Sequence, residues 1–266
     1  MAAWWALDEL SGTTVRDSIG DNHGVAEGGA SVLNQAKVAA GRSFDAGRVV
    51  MPDAPSLDAG DGDFSIAVWV NPSTDAPLQP IVTKLYAPAD APLGYAFTLE
   101  RLEPTFTMSN EGSSLRVTDH LTMPARVGYW SLLAVTVQRG SRTGGTLYRN
   151  GVPYHTFDTT GLVGAVDTPA DLHVGEEPRL GRGGAQHFFG GGIDELQIFH
   201  RALTPDEVRS TYAAGSYGTC DKPPAPTPTT RPRPTTPSDP LSGWMRGAGG
   251  ESTFGPRRLG TVRVPQ

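Results

Sequence analysis

One cysteine, Cys220, stands in 266 residues. The chain therefore has no disulfide framework and no zinc site built on cysteines. No apolar run approaches the roughly 18 residues that a membrane-spanning helix needs, so membrane insertion is not expected. Catalytic signatures are missing too. None of the six histidines (His23, His120, His155, His173, His187, His200) forms H-E-x-x-H, and G-x-S-x-G does not occur. Positive charge is scarce where most of the chain lies. Up to Thr219 there are 15 Lys and Arg against 25 Asp and Glu, whereas the remainder has 7 against 3. An acidic main segment argues against nucleic acid as a partner and suits cations and neutral ligands. The opening "MAAWWALDEL" lacks the basic and apolar regions of an export signal. That start fits either a mature chain whose signal has been removed or a piece of a longer one.

What the chain does have is glycine and proline, 33 and 23 residues, and they punctuate short strand-like runs. "AAWWAL", "GRSFDA", "RVVMP", "FSIAVWV", "PIVTKL", "YAFTLER", "TFTMS", "SLRVT", "WSLLAVTVQ", "GTLYRNGVPYHTF" and "IDELQIF" recur with turn signals between them. Such spacing predicts an antiparallel sandwich or barrel. Asn150-Gly151 has the two positive-φ formers that a type I′ hairpin turn requires. "FSIAVWV" and "WSLLAVTV" are apolar on both faces, as central strands are. In "LTPDEV", Thr204 is the expected N-cap, Pro205 the first helical residue and Glu207 the third, which makes a capping box. Leu203 and Val208 would form a staple, and Gly215 would end the helix. Leu203, Val208 and Tyr212 should then close one end or edge of the sandwich. Beyond Cys220 the stretch "KPPAPTPTTRPRPTTPSDP" holds eight of the prolines and almost no apolar side chains. It is expected to be an extended spacer. The resulting division is a domain over 1–215, a Pro/Thr-rich linker over 216–240, and a tail or truncated module over 241–266.

The ordered motifs "WWALDELSGTTVRDSIGDNHG", "GRSFDAGRVVMP", "FSIAVWVNPS", "YWSLLAVTVQ…GTLYRNGV" and "GGGIDELQIFHRALTPDEVRSTY" resemble bacterial laminin-G-like jelly-roll domains. These belong to the concanavalin A-like lectin/glucanase superfamily. The likeness covers roughly residues 3–214. It implies an all-β jelly-roll sandwich with one short C-terminal helix, followed by a disordered Pro/Thr-rich tail. It further implies an extracellular binding module that recognises carbohydrate or another cell-surface or matrix polymer and is tethered to other modules. A structural or protein-interaction module without a glycan ligand is the alternative, and a glycoside hydrolase or lyase of the same superfamily is the second. The hydrolase spacing E-x-D-x-x-E is not met, because Gly192 stands where its first glutamate should be. The chain is accordingly expected not to be an enzyme.

Candidate sites follow from both readings. From Ile193 strict alternation places Asp194 on one face with Leu196 and Ile198, where an unpaired charge is costly. The resemblance implies a structural calcium there, held by Asp194, by Asp45 with the carbonyl of Gly47, and by Asp8 or Glu9. Asp17, Asp21 and Asn22 are the alternatives in "RDSIGDNHG". Calcium suits oxygen donors of this kind. The other possibility is that Asp194 accepts backbone N–H bonds at a strand end. Trp69, Tyr95, Trp130 and Tyr148 are the candidate ligand-binding rings, although such rings more often pack in a core. Trp4 and Trp5 must point to opposite faces, so one should be more exposed. "DAGDGDFS", with Asp58, Asp61 and Asp63, has the outline of a calcium loop but reads better as a turn. "GRGGAQ" precedes a strand rather than a helix, which argues against a phosphate cradle.

Overall fold

The computed structural model describes residues 1–86, 92–118, 124–178 and 186–217. The linker and tail expected over 216–240 and 241–266 lie outside them from residue 218 onward. So does most of "GRGGAQ". The first nine strands are β1 (Ala3–Trp5), β2 (Thr14–Val15), β3 (Gly24–Leu33), β4 (Gly41–Met51), β5 (Phe64–Pro72), β6 (Gln79–Tyr86), β7 (Leu93–Glu100), β8 (Glu103–Asn110) and β9 (Ser113–Thr118). They are followed by β10 (Ser131–Val137), β11 (Gly145–Arg149), β12 (Val152–Phe157), β13 (Leu172–Val174), β14 (Glu176–Glu177), β15 (His187–Phe188) and β16 (Gly191–Phe199), and by helix α1 (Pro205–Ala214).

Antiparallel pairing runs β12-β11-β10-β5-β16-β4-β13-β6-β7-β8-β9 and folds over to make a sandwich. Ile66, Val68 and Val70 of β5 and Leu133, Val135 and Val137 of β10 supply one inner face of the core. Tyr95, Phe97 and Leu99 of β7, with Phe106 and Met108 of β8, supply the facing one. Burying these apolar side chains is the main stabilising term, at about 25 cal/mol per Å² removed from water. The rings of Phe64 and Tyr95 meet across the interior at 4.9 Å. Asn150 and Gly151 both take positive φ at the turn between β11 and β12.

Two expectations about strands need correction. "GRSFDA" and "RVVMP" are not two strands but one, β4. Its register shifts where Asp45 and Ala46 bulge opposite Gly29 of β3. Only glycine fits at position 29, since a Cβ there would lie 1.6 Å from the Asp45 carbonyl oxygen. The second correction concerns β16. Its pairing with β5 shifts between Asp194 and Gln197, and Glu195 adopts φ 53°. The bulge returns Leu196 and Ile198 to the core with Ile193, while Asp194 pairs with Trp69 on the outer face. Strict alternation is broken by one extra residue, as bulges do.

Helix α1 starts as expected. Thr204 Oγ1 accepts the Glu207 N–H at 3.3 Å, and the Glu207 carboxylate accepts the Thr204 N–H at 2.8 Å. The helix reaches the edge strand β12, where Arg209 and Tyr212 pass close to Gly151. It lies on the outer face of the first layer, where Leu203 and Val208 pack with Ala67, Ala134, Tyr148 and Phe199. Thr204→Ala should cost about 1 kcal/mol in urea denaturation, by orphaning N–H groups of the first turn. An unchanged midpoint would show that the cap contributes nothing. The Arg201 guanidinium, helped by the Thr204 N–H, holds the Glu207 carboxyl down at about 2. A depressed carboxylate contributes stability above its unfolded pKa of 4.5, and that contribution disappears as pH falls toward 2. The Thr204 hydroxyl, which donates to Glu207 Oε2 at 3.0 Å, adds to that shift, so part of the Thr204→Ala deficit should disappear in acid. Glu207 is 42% exposed, so the effect is small.

Candidate functional site

Strand β1 pairs with β16, placing Ala3 opposite Ile198 and Trp5 opposite Leu196. Trp5 is buried, and its indole N–H donates to the Asn22 carbonyl at 2.8 Å. Trp4, on the other face, is half-buried and donates to Glu195 Oε2 at 2.8 Å. This pairing brings the first and last segments of the domain to one place.

There, the turn before β4 wraps two carboxylates. The Val38 N–H donates to Asp194 Oδ2 at 2.8 Å, and the Ala40 N–H donates to Asp8 Oδ1 at 3.0 Å. Asp194 is fully buried, and its Oδ1 has no hydrogen-bond partner among the described residues. Burial pushes its carboxyl up to about 8. The Val38 N–H and, less strongly, the Glu195 N–H oppose that rise, and the negative charges of Glu195 and Asp8 add to it. Three non-glycine residues beside these carboxylates are left-handed: Leu7 at φ 62°, Ala39 at 44° and Glu195 at 53°. Each such conformation costs about 1 kcal/mol or more, and such strain clusters where function or tight packing demands it.

The other oxygen donors expected from the sequence lie elsewhere. Asp45 is exposed and Gly47 buried at the bulge between β3 and β4. Asp17 accepts N–H groups from Trp4, Ile19 and Asn22 and the Asn22 side-chain amide. Burial raises its carboxyl, but these bonds together hold it below the ordinary value. Asn22 also accepts from Ser56 Oγ at 2.6 Å, and Asp21 is exposed. Asp17 and Asn22 thus brace a separate loop. Among the described residues, no group of three or more His, Cys, Asp or Glu is placed to hold a metal ion by side chains alone.

The four candidate rings are placed as follows. Tyr95 is buried, with its hydroxyl donating to the Leu57 carbonyl at 2.8 Å. Tyr148 is buried beneath α1. Trp69 is buried between Tyr212, whose ring stacks at 5.7 Å, and the Lys37 ammonium, 4.3 Å from its centroid. Trp130 is half-buried across Gly192.

Sequence reasoning passed over Tyr86, which is exposed, as are Tyr129 and Tyr212. Tyr86 ends β6 and is 43% accessible, on an open cleft of about 590 Å³. Its strand position alone did not distinguish it from Tyr95. The cleft wall is built by Asn110, whose amide donates to the carbonyls of Val163 and Ala165 at 2.7 and 3.0 Å. Asp167 and Glu111 add carboxylates, and Leu93, Val163 and Pro169 add apolar surface. Behind it, the buried Lys84 ammonium donates to Asp53, Asp58 and the Thr168 carbonyl at 2.7, 2.9 and 2.6 Å. That triad ties the segment carrying Asp167 to the inner layer. Asp58, from the loop with a calcium-like outline, is thus a partner of Lys84. In the same loop Asp63 accepts the Arg139 N–H at 2.8 Å.

Residues 44–209 match the Laminin_G_3 family, described as the Concanavalin A-like lectin/glucanases superfamily. No curated protein matches the chain. Among solved structures, the binding domain of Paraclostridial Mosquitocidal Protein 1 superposes with a TM-score of 0.59 at 18% identity, over 79% of this chain and 51% of that one. The Botulinum Neurotoxin serotype G binding domain does so at 0.58 and 14%, over 80% and 50%. The chain therefore spans about half the length of those two. Domain 4 of AbnA, an extracellular arabinanase from Geobacillus stearothermophilus solved in complex with arabinotriose, matches at 0.57 and 18%, over 79% of this chain and 96% of that one. At these identities the likeness is one of fold.

Proposed function

The chain belongs to the concanavalin A-like lectin/glucanases superfamily, and from that premise we propose that it is a non-catalytic extracellular binding module for carbohydrate or another surface polymer. The observation that carries this reading is the open cleft with an exposed tyrosine edge, walled by a rigid asparagine-braced turn. Pyranose rings stack their C–H faces on such rings, and carboxylates beside the ring orient hydroxyls. The arabinanase domain of similar fold, in complex with arabinotriose, supports a sugar as the ligand. The Pro/Thr-rich stretch over 216–240 would serve as the tether. A glycan and polysaccharide binding panel tests the proposal. Binding without release of reducing sugar is the expected result. A panel without hits, together with a specific protein partner in pull-down, would replace the glycan with a protein ligand.

We also propose that Asp194 and Asp8 hold a structural divalent cation, calcium by the nature of the donors. The fit rests on the buried Asp194 Oδ1, which lacks a hydrogen bond among the described residues, and on the negative sign of the charges acting on that carboxylate. Hard carboxylate oxygens, with backbone carbonyls completing the set, are what calcium takes. The ion would supply positive charge at the junction of β1, β4 and β16. The chain's own part is to hold the two carboxylates in place through the Val38 and Ala40 N–H groups.

A further inference from the structure

We infer that the Tyr86 cleft selects glycans bearing free amino groups, an inference that rests on the binding-module reading and names its ligand class. The groups available to a ligand there are few. Asn110 is committed inward: its amide serves two carbonyls, and its Oδ1 accepts from Gly112, from the Ser113 N–H and from the Ser113 hydroxyl. Asp167 gives one oxygen to the Gly60 N–H at 3.1 Å and keeps the other. Glu111 is exposed. The described lining has no Lys, Arg or His. The nearby Arg139 guanidinium is turned to the Gly164 carbonyl and lies near Asp61 and Asp63.

What remains is an exposed ring that shares the cleft lining with Leu93, Val163, Pro169 and two carboxylates. The ring takes the apolar face of a pyranose. An ammonium on that sugar gains charge-assisted bonds to Glu111 or Asp167 and the attraction of the ring face. An N-acetyl group offers no charge, and a uronate or sulfate meets like charge. The acidic excess of the whole domain acts in the same direction at longer range. The cleft thus discriminates by sign as well as by shape.

Calorimetric titration of the full chain at about pH 5.5 tests this, since carboxylates are ionised there and amino-sugar amines are protonated. The ligands are a glucosamine oligomer, its N-acetylated counterpart, a uronate oligomer and an oligolysine of equal length. The glucosamine oligomer should bind at least about tenfold more tightly than the acetylated one, weaken with added salt, and outcompete the uronate, which should not bind. Glu111→Gln combined with Asp167→Asn should remove most of the tenfold preference, weakening the glucosamine oligomer several-fold more than the acetylated one. Tyr86→Ala should weaken both oligomers about tenfold. Equal affinities, indifferent to the carboxylate variants, would overturn the charge selection and leave the binding-module reading standing. No binding of any glycan would overturn both. Oligolysine binding as tightly as the amino sugar would overturn the glycan class.

Discussion

Lys84→Met should destabilise the domain by about 3 kcal/mol, which for a domain of this size lowers the melting temperature by roughly 6–12 °C. Lys84 is fully buried and points inward from β6, whereas Asp53 and Asp58 are 38% and 20% exposed. Methionine keeps most of the volume, so the loss reads the interaction rather than a cavity. It leaves Asp58 and the Thr168 carbonyl without their strongest donor at the base of the cleft. Removing one partner of a buried pair costs more than the pair contributes, because the other charge stays desolvated. A cycle with Asp58→Asn isolates the coupling, which should fall at about 1 kcal/mol or more. If urea denaturation places Lys84→Met within 0.5 kcal/mol of the parent, the triad is not what holds the 167–168 segment (threshold at about the limit of additivity).

Calcium should raise the melting temperature and EDTA lower it. At 100-fold excess over its Kd, an ion that binds only the folded state adds about 2.7 kcal/mol. Asp194→Asn should abolish most of that difference, because it removes the charge but keeps an acceptor for the Val38 N–H. Asp45→Asn serves as the control: Asp45 is exposed at the bulge between β3 and β4, so the calcium response should survive. Elemental analysis of the purified protein gives an independent reading. Equal melting temperatures in calcium and EDTA, with no metal in the sample, would mean that Asp194 is compensated by the backbone alone.

Local chemistry was legible wherever neighbouring residues decide it. Thr204, Pro205 and Glu207 specify a helix start by themselves, since the cap needs only atoms three residues apart. Asn150-Gly151 specifies its hairpin turn for the same reason. Strand β3, "GVAEGGASVL", went unread because its glycines and glutamate mimic a turn. It is a strand through its pairing with β4, where Gly29 must pass against Asp45. The rings were divided by their neighbours too. Tyr95 and Tyr86 both lie on strands of the same layer, yet one packs on Phe64 in the core and the other lines the cleft.

Asp194 shows where the boundary lies. Its type, its place at the head of an apolar strand and the cost of burying it are properties of the sequence, and they marked it out. Its face was not. Alternation along one strand assumes one residue per step, whereas the partner strand β5 decides whether a residue is left over. The extra residue at Glu195 turns Asp194 away from the core and toward the Val38 turn and Asp8, groups 156 and 186 residues distant along the chain. Short-range sterics and hydrogen bonds determine caps, turns and composition, so sequence alone reaches them. Pairing register and the meeting of distant carboxylates arise from packing two layers together, and only the tertiary structure decides them.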